Sequence, residues 1–379
     1  MSIEKKVREI IEPIYLVGGS IRDRLLGKEP KDWDFCTPLS PDEIETRVKQ
    51  AGRRAYLIGK KYGTIGFKLD GAFIEVTTFR TETYEKNNRK PKVEFVKNLH
   101  QDLARRDFTI NAIAKRGNKI IDPFNGRRDL KERRIKAVGV ATHRFKEDPL
   151  RILRACRFSS QLGFKIEGET LRAMQKLSYK ILTVSKERWM AELDKLLLGE
   201  GVILGLNYLM AVELLKYMIP ELSIQFMFNQ NSCYHSLPLW IHTIKVVEQM
   251  PKDINLRWSA LLHDIAKPFV KKLNIKTGYY NYVKHDLLGA DMVERLARHL
   301  KWSNERRESV KELIANHLRE DSPLKEADDK AKKTIEKSGI YPRPGVTLEC
   351  LKRAIKNSHI PDEYNVEIVN GKVTISKKK

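Results

Sequence analysis

The sequence predicts an α/β domain at the N-terminus, followed by regions that are mostly α-helical. Two observations lead to this prediction. Short runs of β-forming residues, with helical patterns between some of them, recur through about the first 135 residues. From about residue 138 these runs stop, and Leu- and Ile-rich stretches with the spacing of amphipathic helices continue to about residue 318.

In the N-terminal region, four runs are predicted to be β-strands. They are Tyr15–Val17, Trp33–Cys36, Gly63–Leu69 and Phe73–Thr78. In the last run Glu75 alternates with Ile74 and Val76, so it lies on one defined face of the strand. The stretch from Arg80 to Lys92 has few apolar residues and predicts a mobile loop.

The helical part has three informative segments. In EDPLRILRACRFSSQLGF, Pro149 suits a first helical turn, and Leu150 and Leu153 are predicted to be buried. The charged segment DSPLKEADDKAKK, Asp321 to Lys333, is interpreted as an exposed linker. Near the C-terminus, Asn370-Gly371 lies between two alternating apolar runs and predicts a β-hairpin.

Composition narrows the class of protein. The chain has 379 residues, enough for two to four domains, and its net charge of +23 favours a polyanionic partner. No apolar run approaches the roughly 20 residues that span a bilayer, and the N-terminus lacks the pattern of a signal peptide. The four cysteines are scattered and form no C-x-x-C pair, which is typical of reduced thiols in a cytoplasmic protein.

The strongest motif is YLVGGSIRDRLLGKEPKDWDF, from Tyr15 to Phe35. Glycines allow a backbone to approach phosphate closely, and Arg22, three residues after Gly19, can orient phosphate oxygens. Asp32 and Asp34 are two residues apart on a predicted strand, so both project to one face. Paired carboxylates suit Mg²⁺, which Glu75 could also reach. The motif predicts metal-assisted nucleotidyl transfer.

Three further segments carry charged or turn-forming residues. Arg105 and Arg106, in DLARRDFTINAIA, could grip a triphosphate or could form a solvated cluster. The turn IIDPFNGRRDL is either a hinge or a plain connection. Farther along, four side chains with a spacing of three residues could hydrogen-bond a base edge or form a ladder of surface ion pairs. These four are Asp148, Arg151, Arg154 and Arg157.

With these motifs in their order, the chain resembles the class II CCA-adding enzymes, the family of tRNA nucleotidyltransferases and bacterial poly(A) polymerases. The matching motifs are LVGGSIRD, KDWDF, RRDFTINAIA, DPFNGRRDL and EDPLRILRACRF, which span roughly residues 14 to 165. The resemblance implies a nucleotidyltransferase head over 1–137 and a helical neck and body over 138–234. An HD-like domain over 235–322 and a tail over 323–379 would follow.

The resemblance also implies roles for individual residues. Asp32 and Asp34 would hold Mg²⁺, with Glu75 as a third carboxylate. Gly19, Arg22 and Arg106 would contact the nucleotide's phosphates. Asp148, Arg151, Arg154 and Arg157 would form a protein template that selects CTP and then ATP for the 3′ acceptor end of tRNA. Members that add only CC, only A or poly(A) share these motifs; the intact loop from Arg80 to Pro91 favours full CCA addition.

Residues 235 to 318 resemble an HD domain, a helical fold of metal-dependent phosphohydrolases. The matching pieces are YHSLPLWIHTIK, ALLHDIAKP and NYVKHDLLGA. The resemblance implies that His242, His263 and Asp264 occupy metal-binding positions and that His285 matches a further histidine of the fold. Leu318 stands where the last aspartate is expected, and Asp321 lies nearby. This gap leaves open a structural scaffold or a working hydrolase.

Overall fold

A computed structural model describes residues 2–30, 32–83, 92–226, 228–230, 238–333, 364–369 and 372–377. The chain divides into two compact units. The first comprises Met1–Arg151 and Lys165–Ala173, and the second comprises Ile152–Phe164 and Met174–Lys379. No helix in the described ranges is long and apolar enough to cross a membrane.

The first unit is built on a mixed sheet of six strands, in agreement with the predicted α/β fold. The strand order is β3-β4-β2-β1-β7-β8, and the β2–β4 pair is parallel whereas the other pairs are antiparallel. The strands of this unit are β1 Tyr15–Val17, β2 Trp33–Thr37, β3 Thr64–Leu69, β4 Ala72–Thr78, β5 Arg80–Thr83, β6 Lys92–Phe95, β7 Ala114–Arg116, β8 Lys119–Ile121, β9 Arg134–Ile135 and β10 Lys165–Ile166.

The first unit also contains helices. They are α1 Ile3–Ile10, α2 Gly18–Leu25, α3 Pro41–Gln50, α4 Leu99–Ala104, α5 Gly126–Lys131 and α6 Ala141–Glu147, and α7 Leu150–Leu162 and α8 Gly168–Leu177 belong partly to each unit. One hydrophobic core cluster of this unit contains Val17, Cys36, Phe79, Leu103 and Ala114, all almost fully buried. The apolar residues of β1 and β2 are buried, which anchors both strands. The glycines that follow β1 and the aspartate within β2, Asp34, are therefore held at fixed positions.

The second unit is mostly helical, as predicted. Its elements are α9 Lys186–Leu197, α10 Val202–Ala211, α11 Leu215–Met218, α12 Pro220–Gln225, α13 Leu239–Gln249, α14 Ile254–Leu262, α15 Lys267–Val270, β11 Lys272–Leu273, β12 Tyr280–Asn281, α16 His285–Leu300, α17 Asn304–Ala315, α18 Pro323–Lys333, β13 Tyr364–Val369 and β14 Lys372–Lys377. The short β11–β12 hairpin interrupts the helices.

Two sequence expectations need correction. Arg80–Thr83 is not loop but strand β5, which pairs with β6, and Lys92, the last residue of the predicted loop, belongs to β6. The remaining residues, 84–91, lie outside the described residues. The segment Asp321 to Lys333 is not a linker, because Pro323–Lys333 forms α18 with Leu324, Ala327 and Ala331 buried along one side. The predicted C-terminal hairpin is confirmed by the β13–β14 pairing, although its turn, 370–371, is not among the described residues.

Candidate active site and metal centre

The carboxylates predicted in the first unit come together at one place on the sheet. Asp34 on β2 is directly paired with Glu75 on the parallel strand β4, and Asp32 immediately precedes β2. Asp32 and Glu75 are exposed and Asp34 is partly buried. Burial, then the charge of Glu75 and that of Asp32, raises the pKa of Asp34 to about 6, although Arg106 acts in the opposite direction. Three acidic groups that repel one another electrostatically favour a bound cation.

Ser20, which the sequence motif did not single out, fixes this carboxylate pair. Its hydroxyl donates a hydrogen bond to the carbonyl oxygen of Asp32 and accepts one from the backbone N–H of Asp34, both at 2.8 Å. Ser20 lies in the first turn of α2, which begins directly after β1. The two hydrogen bonds therefore tie the N-terminus of α2 to the backbone that carries both aspartates.

The glycine pair opens this same N-terminus. Gly18 has a φ of +66°, and a Cβ at Gly18 would lie 3.2 Å from Arg106 Nη1 and 3.5 Å from Asp34 Oδ2. A Cβ at Gly19 would lie 3.6 Å from Arg22 Nη2. The N-terminus of α2 therefore faces Asp34 and both arginines with no side chain between them, an arrangement that suits phosphate oxygens.

Both arginines are held by neighbouring side chains. Arg22 pairs with Asp23 at 2.7 Å and donates to the side chain of Asn111 at 2.9 Å. Arg106 pairs at 3.2 Å with Asp102, which is fully buried. Burial opposes the ionisation of Asp102, yet the guanidinium groups of Arg106 and Arg105 hold its pKa below the ordinary value. Asp102 thus orients Arg106 toward Asp34.

Arg105 has a different environment from Arg106. Its guanidinium pairs with Asp102 at 2.7 Å and with Glu82 at 2.9 Å, so it joins α4 to β5.

The turn before α5, predicted as a hinge or a plain connection, is closed by hydrogen bonds within the turn. Asp122 accepts from the backbone N–H groups of Gly126 at 2.7 Å and of Arg127 at 2.9 Å.

The four residues of the expected template divide between the units. Asp148 and Arg151 belong to the first unit, where Arg151 pairs with Glu147 at 2.7 Å and donates to the carbonyl oxygen of Arg105 at 2.9 Å. Arg154 and Arg157 belong to the second unit. There, buried Glu192 forms an ion pair with Arg157 at 2.9 Å and accepts from Arg154 at 3.5 Å. Glu147 and Glu192, which sequence reasoning missed, are the carboxylates that orient these arginines.

A second cluster of metal-binding side chains lies in the helical unit. His242, on α13, has its Nε2 3.6 Å from Asp264 Oδ2 and 2.7 Å from Asp328 Oδ1. His263 Nε2 lies 3.1 Å from the same Asp264 oxygen and 4.0 Å from the same Asp328 oxygen. Both Nε2 atoms thus lie near one oxygen of each aspartate, and His242, His263 and Asp264 form a group with the spacing of metal ligands. Asp328, on α18, supplies the carboxylate that was expected near Leu318, whereas Leu318 is 47% exposed and Asp321 is exposed.

Two more histidines extend this cluster around Asp264. Its other oxygen, Oδ1, lies 3.3 Å from His285 Nε2 and 3.9 Å from His317 Nε2. His317 was not predicted; it belongs to the sequence ANHLRED that was inspected for the last aspartate. Asp264, His285 and His317 form a second group with the spacing of metal ligands.

Backbone carbonyl groups set the tautomer of three of these histidines. Nδ1 of His263, of His285 and of His317 each lies 2.7 Å from the carbonyl oxygen of the residue three positions earlier. Because a carbonyl oxygen only accepts, Nδ1 carries a proton in each ring, so Nε2 is the nitrogen directed at the cluster and the one that would bind a metal once it is unprotonated. Burial, and then His263, lower the pKa of His317 to about 4, so His317 is neutral at pH 7.

The charges in the cluster are already balanced in part. Lys267 Nζ lies 2.6 Å from Asp264 Oδ2, and both side chains are almost fully buried. Burial opposes the ionisation of Asp264, but His263 and Lys267 hold its pKa well below the ordinary value. The set of imidazole and carboxylate donors fits a transition metal.

These features define a nucleotidyltransferase-type head joined to a helical unit with an HD-type cluster of histidine and aspartate side chains. Family models match at residues 14–136 (Poly A polymerase head domain), 163–225 (Probable RNA and SrmB- binding site of polymerase A) and 234–338 (HD domain). The last match includes α18 and therefore Asp328.

The relatives narrow the class to one family. The CCA-adding enzyme of Ligilactobacillus salivarius is 33% identical over 401 aligned positions, covering 100% of this chain and 96% of the relative. That of Lactococcus lactis subsp. cremoris is 39% identical over 304, covering 76% and 70%. A crystal structure of the Bacillus stearothermophilus CCA-adding enzyme in complex with CTP superposes with a TM-score of 0.58 at 26% identity, covering 87% of this chain and 82% of that one. The chain belongs to the CCA-adding enzymes.

Proposed function

We propose that this protein is a tRNA nucleotidyltransferase that builds or repairs the 3′-terminal CCA of tRNA from CTP and ATP, with no nucleic acid template. One observation carries the proposal: Asp34, Glu75, Arg106 and the N-terminus of α2 meet at one place on the sheet. Positive and negative groups at this spacing suit a triphosphate bound together with a metal ion.

Asp32, Asp34 and Glu75 are the proposed metal ligands, and Mg²⁺ is the proposed ion because all three offer hard oxygen donors. The raised pKa of Asp34 supports this assignment, since a nearby cation would favour the ionised carboxylate. Bound Mg²⁺ would activate the 3′-hydroxyl of the tRNA and neutralise the leaving pyrophosphate.

The remaining head residues would position the nucleotide. The backbone N–H groups at Gly18 and Gly19 and the guanidinium groups of Arg22 and Arg106 would bind the triphosphate oxygens. Their role is orientation, which brings the α-phosphate in line with the attacking hydroxyl. Asp102 and Asn111 would maintain these arginines in position through the contacts described above.

The template is proposed to consist of Asp148, Arg151, Arg154 and Arg157. A carboxylate and guanidinium groups offer the paired acceptors and donors that distinguish the base edges of cytosine and adenine. Glu147 and Glu192 support this assignment, because each holds guanidinium groups in a fixed orientation. The net charge of +23 fits the polyanionic tRNA.

An extension assay with Mg²⁺ tests the proposal. One tRNA transcript is prepared ending at the discriminator base, at C and at CC, and each form receives CTP, ATP or both. We expect three added nucleotides and then a stop when both are supplied to the shortest form, and no extension by Asp34→Ala. Two added residues and a stop, addition of A to the CC end alone, or a long A ladder would each assign a different activity of the same family.

We also propose a second activity, metal-dependent hydrolysis of a phosphate ester at the His/Asp cluster. The observation that favours it is Asp328, whose Oδ1 lies 2.7 Å from His242 Nε2 and 4.0 Å from His263 Nε2, the two histidines that form a metal-ligand group with Asp264. A bound transition metal would supply a coordinated water as nucleophile. The carbonyl groups that fix Nδ1–H on His263 keep its Nε2 available for such a metal.

Substitutions at two aspartates test this second activity. Asp328→Ala should lose metal bound at the cluster, measured by elemental analysis after loading with Mn²⁺, Co²⁺ or Ni²⁺, together with hydrolysis of a simple phosphomonoester. Asp321→Ala is the matched control, because Asp321 is exposed and lies seven positions earlier. Equal metal content in the two variants would remove Asp328 from the ligand set.

A further inference from the structure

The segment after α15 has an unusual composition. Between Ile265 and Lys284 there are five lysines and three tyrosines, and neither aspartate nor glutamate. The lysines are Lys267, Lys271, Lys272, Lys276 and Lys284, and all but Lys267, which is bound to Asp264, belong to the hairpin formed by β11 and β12. We name residues 271–284 the lysine–tyrosine hairpin. Its charge predicts attraction to a polyanion.

Apolar side chains of the hairpin are exposed between these lysines. Ile275 is 91% exposed, Val283 68%, Leu273 54% and Tyr279 43%. Lys272, Lys276 and Lys284 are exposed as well. A surface that alternates cations with exposed apolar and aromatic groups indicates a binding surface.

Backbone hydrogen bonds and cation–π contacts brace the hairpin, and such bracing lowers the entropic cost of binding. The N–H of Asn274 donates to the carbonyl oxygen of Tyr279 at 2.8 Å, and Gly278 provides the left-handed turn with a φ of +71°. At the base, Lys271 Nζ lies 4.0 Å from the ring centre of Tyr280 and 4.7 Å from that of Phe228. Surfaces fixed in this way bind with less loss of conformational freedom.

The hairpin also leads directly into the His/Asp cluster. The carbonyl oxygen of Tyr282 accepts from Nδ1 of His285, and the Tyr282 hydroxyl donates to the carbonyl oxygen of Gln230. Lys267, which pairs with Asp264, lies 5.8 Å from the ring centre of Tyr282. A ligand on the hairpin would therefore be close to a group of residues suited to phosphate chemistry.

We propose that the lysine–tyrosine hairpin binds single-stranded RNA. Lys272, Lys276 and Lys284 contact the phosphate backbone, and the exposed ring of Tyr279 stacks on a base. Cationic grooves combined with aromatic side chains bind single strands with little sequence preference, because every base offers a stacking face. None of these residues is among those proposed for nucleotidyl transfer.

Crosslinking locates the contact in the full-length protein. A 12-nucleotide single-stranded RNA carrying 4-thiouridine, with no tRNA structure, is irradiated with the protein, and crosslinked peptides are identified by mass spectrometry. We expect crosslinks within residues 271–284, centred on Tyr279, and their loss in Tyr279→Ala. Crosslinks confined to other parts of the chain would overturn the proposal.

Charge reversal then measures the contribution of the lysines. By fluorescence anisotropy, K272E/K276E should weaken binding of the same RNA by roughly tenfold and reduce the slope of log affinity against log salt by about 1.4, since each lost phosphate contact on a single strand contributes about 0.7. The matched control is K252E/K330E, which makes the same charge change at two exposed lysines of the second unit. Equal slopes for the two double variants would overturn the proposal.

Two other partners would fit part of the surface, and the same variants separate them from RNA. If K272E/K276E lost sedimentation with phosphatidylglycerol vesicles and kept its RNA affinity, the hairpin would be a membrane surface, and the proposal would be wrong. The same holds if the variant abolished a concentration-dependent dimer and kept its RNA affinity. CCA addition by K272E/K276E should equal that of the parent protein, so a failure of this proposal is distinct from a failure of the extension assay.

Discussion

The two acidic centres of this chain respond to burial in opposite ways. In the head, the pKa of Asp34 is raised to about 6, because burial and the charges of Glu75 and Asp32 outweigh the nearby arginines. In the helical unit, Asp264 is buried more deeply, yet its pKa is held well below the ordinary value by His263 and Lys267. In the head, the arginines therefore do not offset burial and the neighbouring carboxylates until a cation binds, whereas the His/Asp cluster is balanced by its own side chains.

The two centres also differ in the solvent exposure of their acidic and histidine side chains. Asp32 and Glu75 are exposed, so a cation there could be shared with a substrate's phosphates. His242, His263, Asp264 and Asp328 are each at most 4% exposed, which suits a metal held by several protein ligands. An open site built from oxygen atoms and a closed one built from nitrogen and oxygen would thus select different metals.

The largest effect expected is that of Asp34→Asn. Removing this carboxylate should lower the rate of nucleotide addition by a factor on the order of 10³ or more, a barrier increase of about 4 kcal/mol. The same substitution should stabilise the metal-free protein, because the ionised carboxylate is unfavourable in the fold. Primer extension and thermal unfolding in the presence of a chelator measure the two effects.

The pH dependence of that stabilisation has a definite sign. The pKa of Asp34 is about 6 in the fold and 3.8 ordinarily, so the folded protein binds more protons and this group destabilises the fold as the pH rises from about 4 to 6. The difference in unfolding temperature between Asp34→Asn and the parent protein should grow over that range and then level off. A difference that is constant from pH 4 to pH 8 would contradict the raised pKa.

The same substitution in the other centre should have the opposite effect on stability. Asp264→Asn leaves the buried ammonium group of Lys267 without its charged partner and should lower the free energy of unfolding by about 3–5 kcal/mol. It should also abolish metal binding, since both ligand groups contain Asp264. Nucleotide addition, assayed below the unfolding transition, should be unchanged. If both substitutions shifted the unfolding temperature in one direction, the contrast between the centres would be wrong.

Site residues that lie in one contiguous motif were easier to predict from the sequence than residues brought together by folding. The α/β head and helical remainder were predicted, and the alternation in FIEVTTF placed Glu75 on a defined face, where β4 pairs it with Asp34. Asp328 was missed because the charged segment KEADDKAKK suggested a linker. The buried positions Leu324, Ala327 and Ala331 have helical spacing, and Pro323 suits a first turn, so that signal was present.

Other contacts have no local signal. Ser20 bonds to the backbone of residues 12 and 14 positions later, and Glu192 lies 35 positions after Arg157. Such pairs arise because the sheet order and the helix packing bring distant segments together, and a single sequence does not encode that arrangement in any short pattern. The positioning residues of this chain were therefore harder to find than the charged groups that they position.

Gly18→Ala tests whether the head site depends on close approach at the start of α2. The new methyl group would lie 3.2 Å from Arg106 Nη1 in a backbone with φ of +66°, so we expect a destabilisation of about 1–2 kcal/mol and a decrease in nucleotide addition of roughly tenfold or more. Gly52→Ala is the control, because Gly52 has a φ of +69° and nothing within 4 Å of a Cβ. The control should show the loss of stability alone; equal activity in the two variants would remove the steric role of Gly18.

The smallest effect expected is that of Ser20→Ala. This substitution removes one hydrogen bond to the carbonyl oxygen of Asp32 and one from the N–H of Asp34, which together contribute on the order of 1–2 kcal/mol. Ser159→Ala is the matched control in the second unit, because the buried Ser159 hydroxyl donates a hydrogen bond to the carbonyl oxygen of Phe164 at 2.7 Å. Both variants should lose stability to a similar degree.

Ser20→Ala and Ser159→Ala should differ in the Mg²⁺ concentration that nucleotide addition requires. Because Ser20 holds the backbone of the open carboxylate pair, Ser20→Ala should raise the Mg²⁺ concentration required for half-maximal extension by several-fold, and Ser159→Ala should not. The reason is that ligands on a loosened backbone spend less time in the geometry that Mg²⁺ requires. An unchanged Mg²⁺ requirement in Ser20→Ala, with its stability lowered, would mean that Ser20 stabilises the head without positioning the ligands. The sheet and α2 alone would then set the spacing of Asp32 and Asp34.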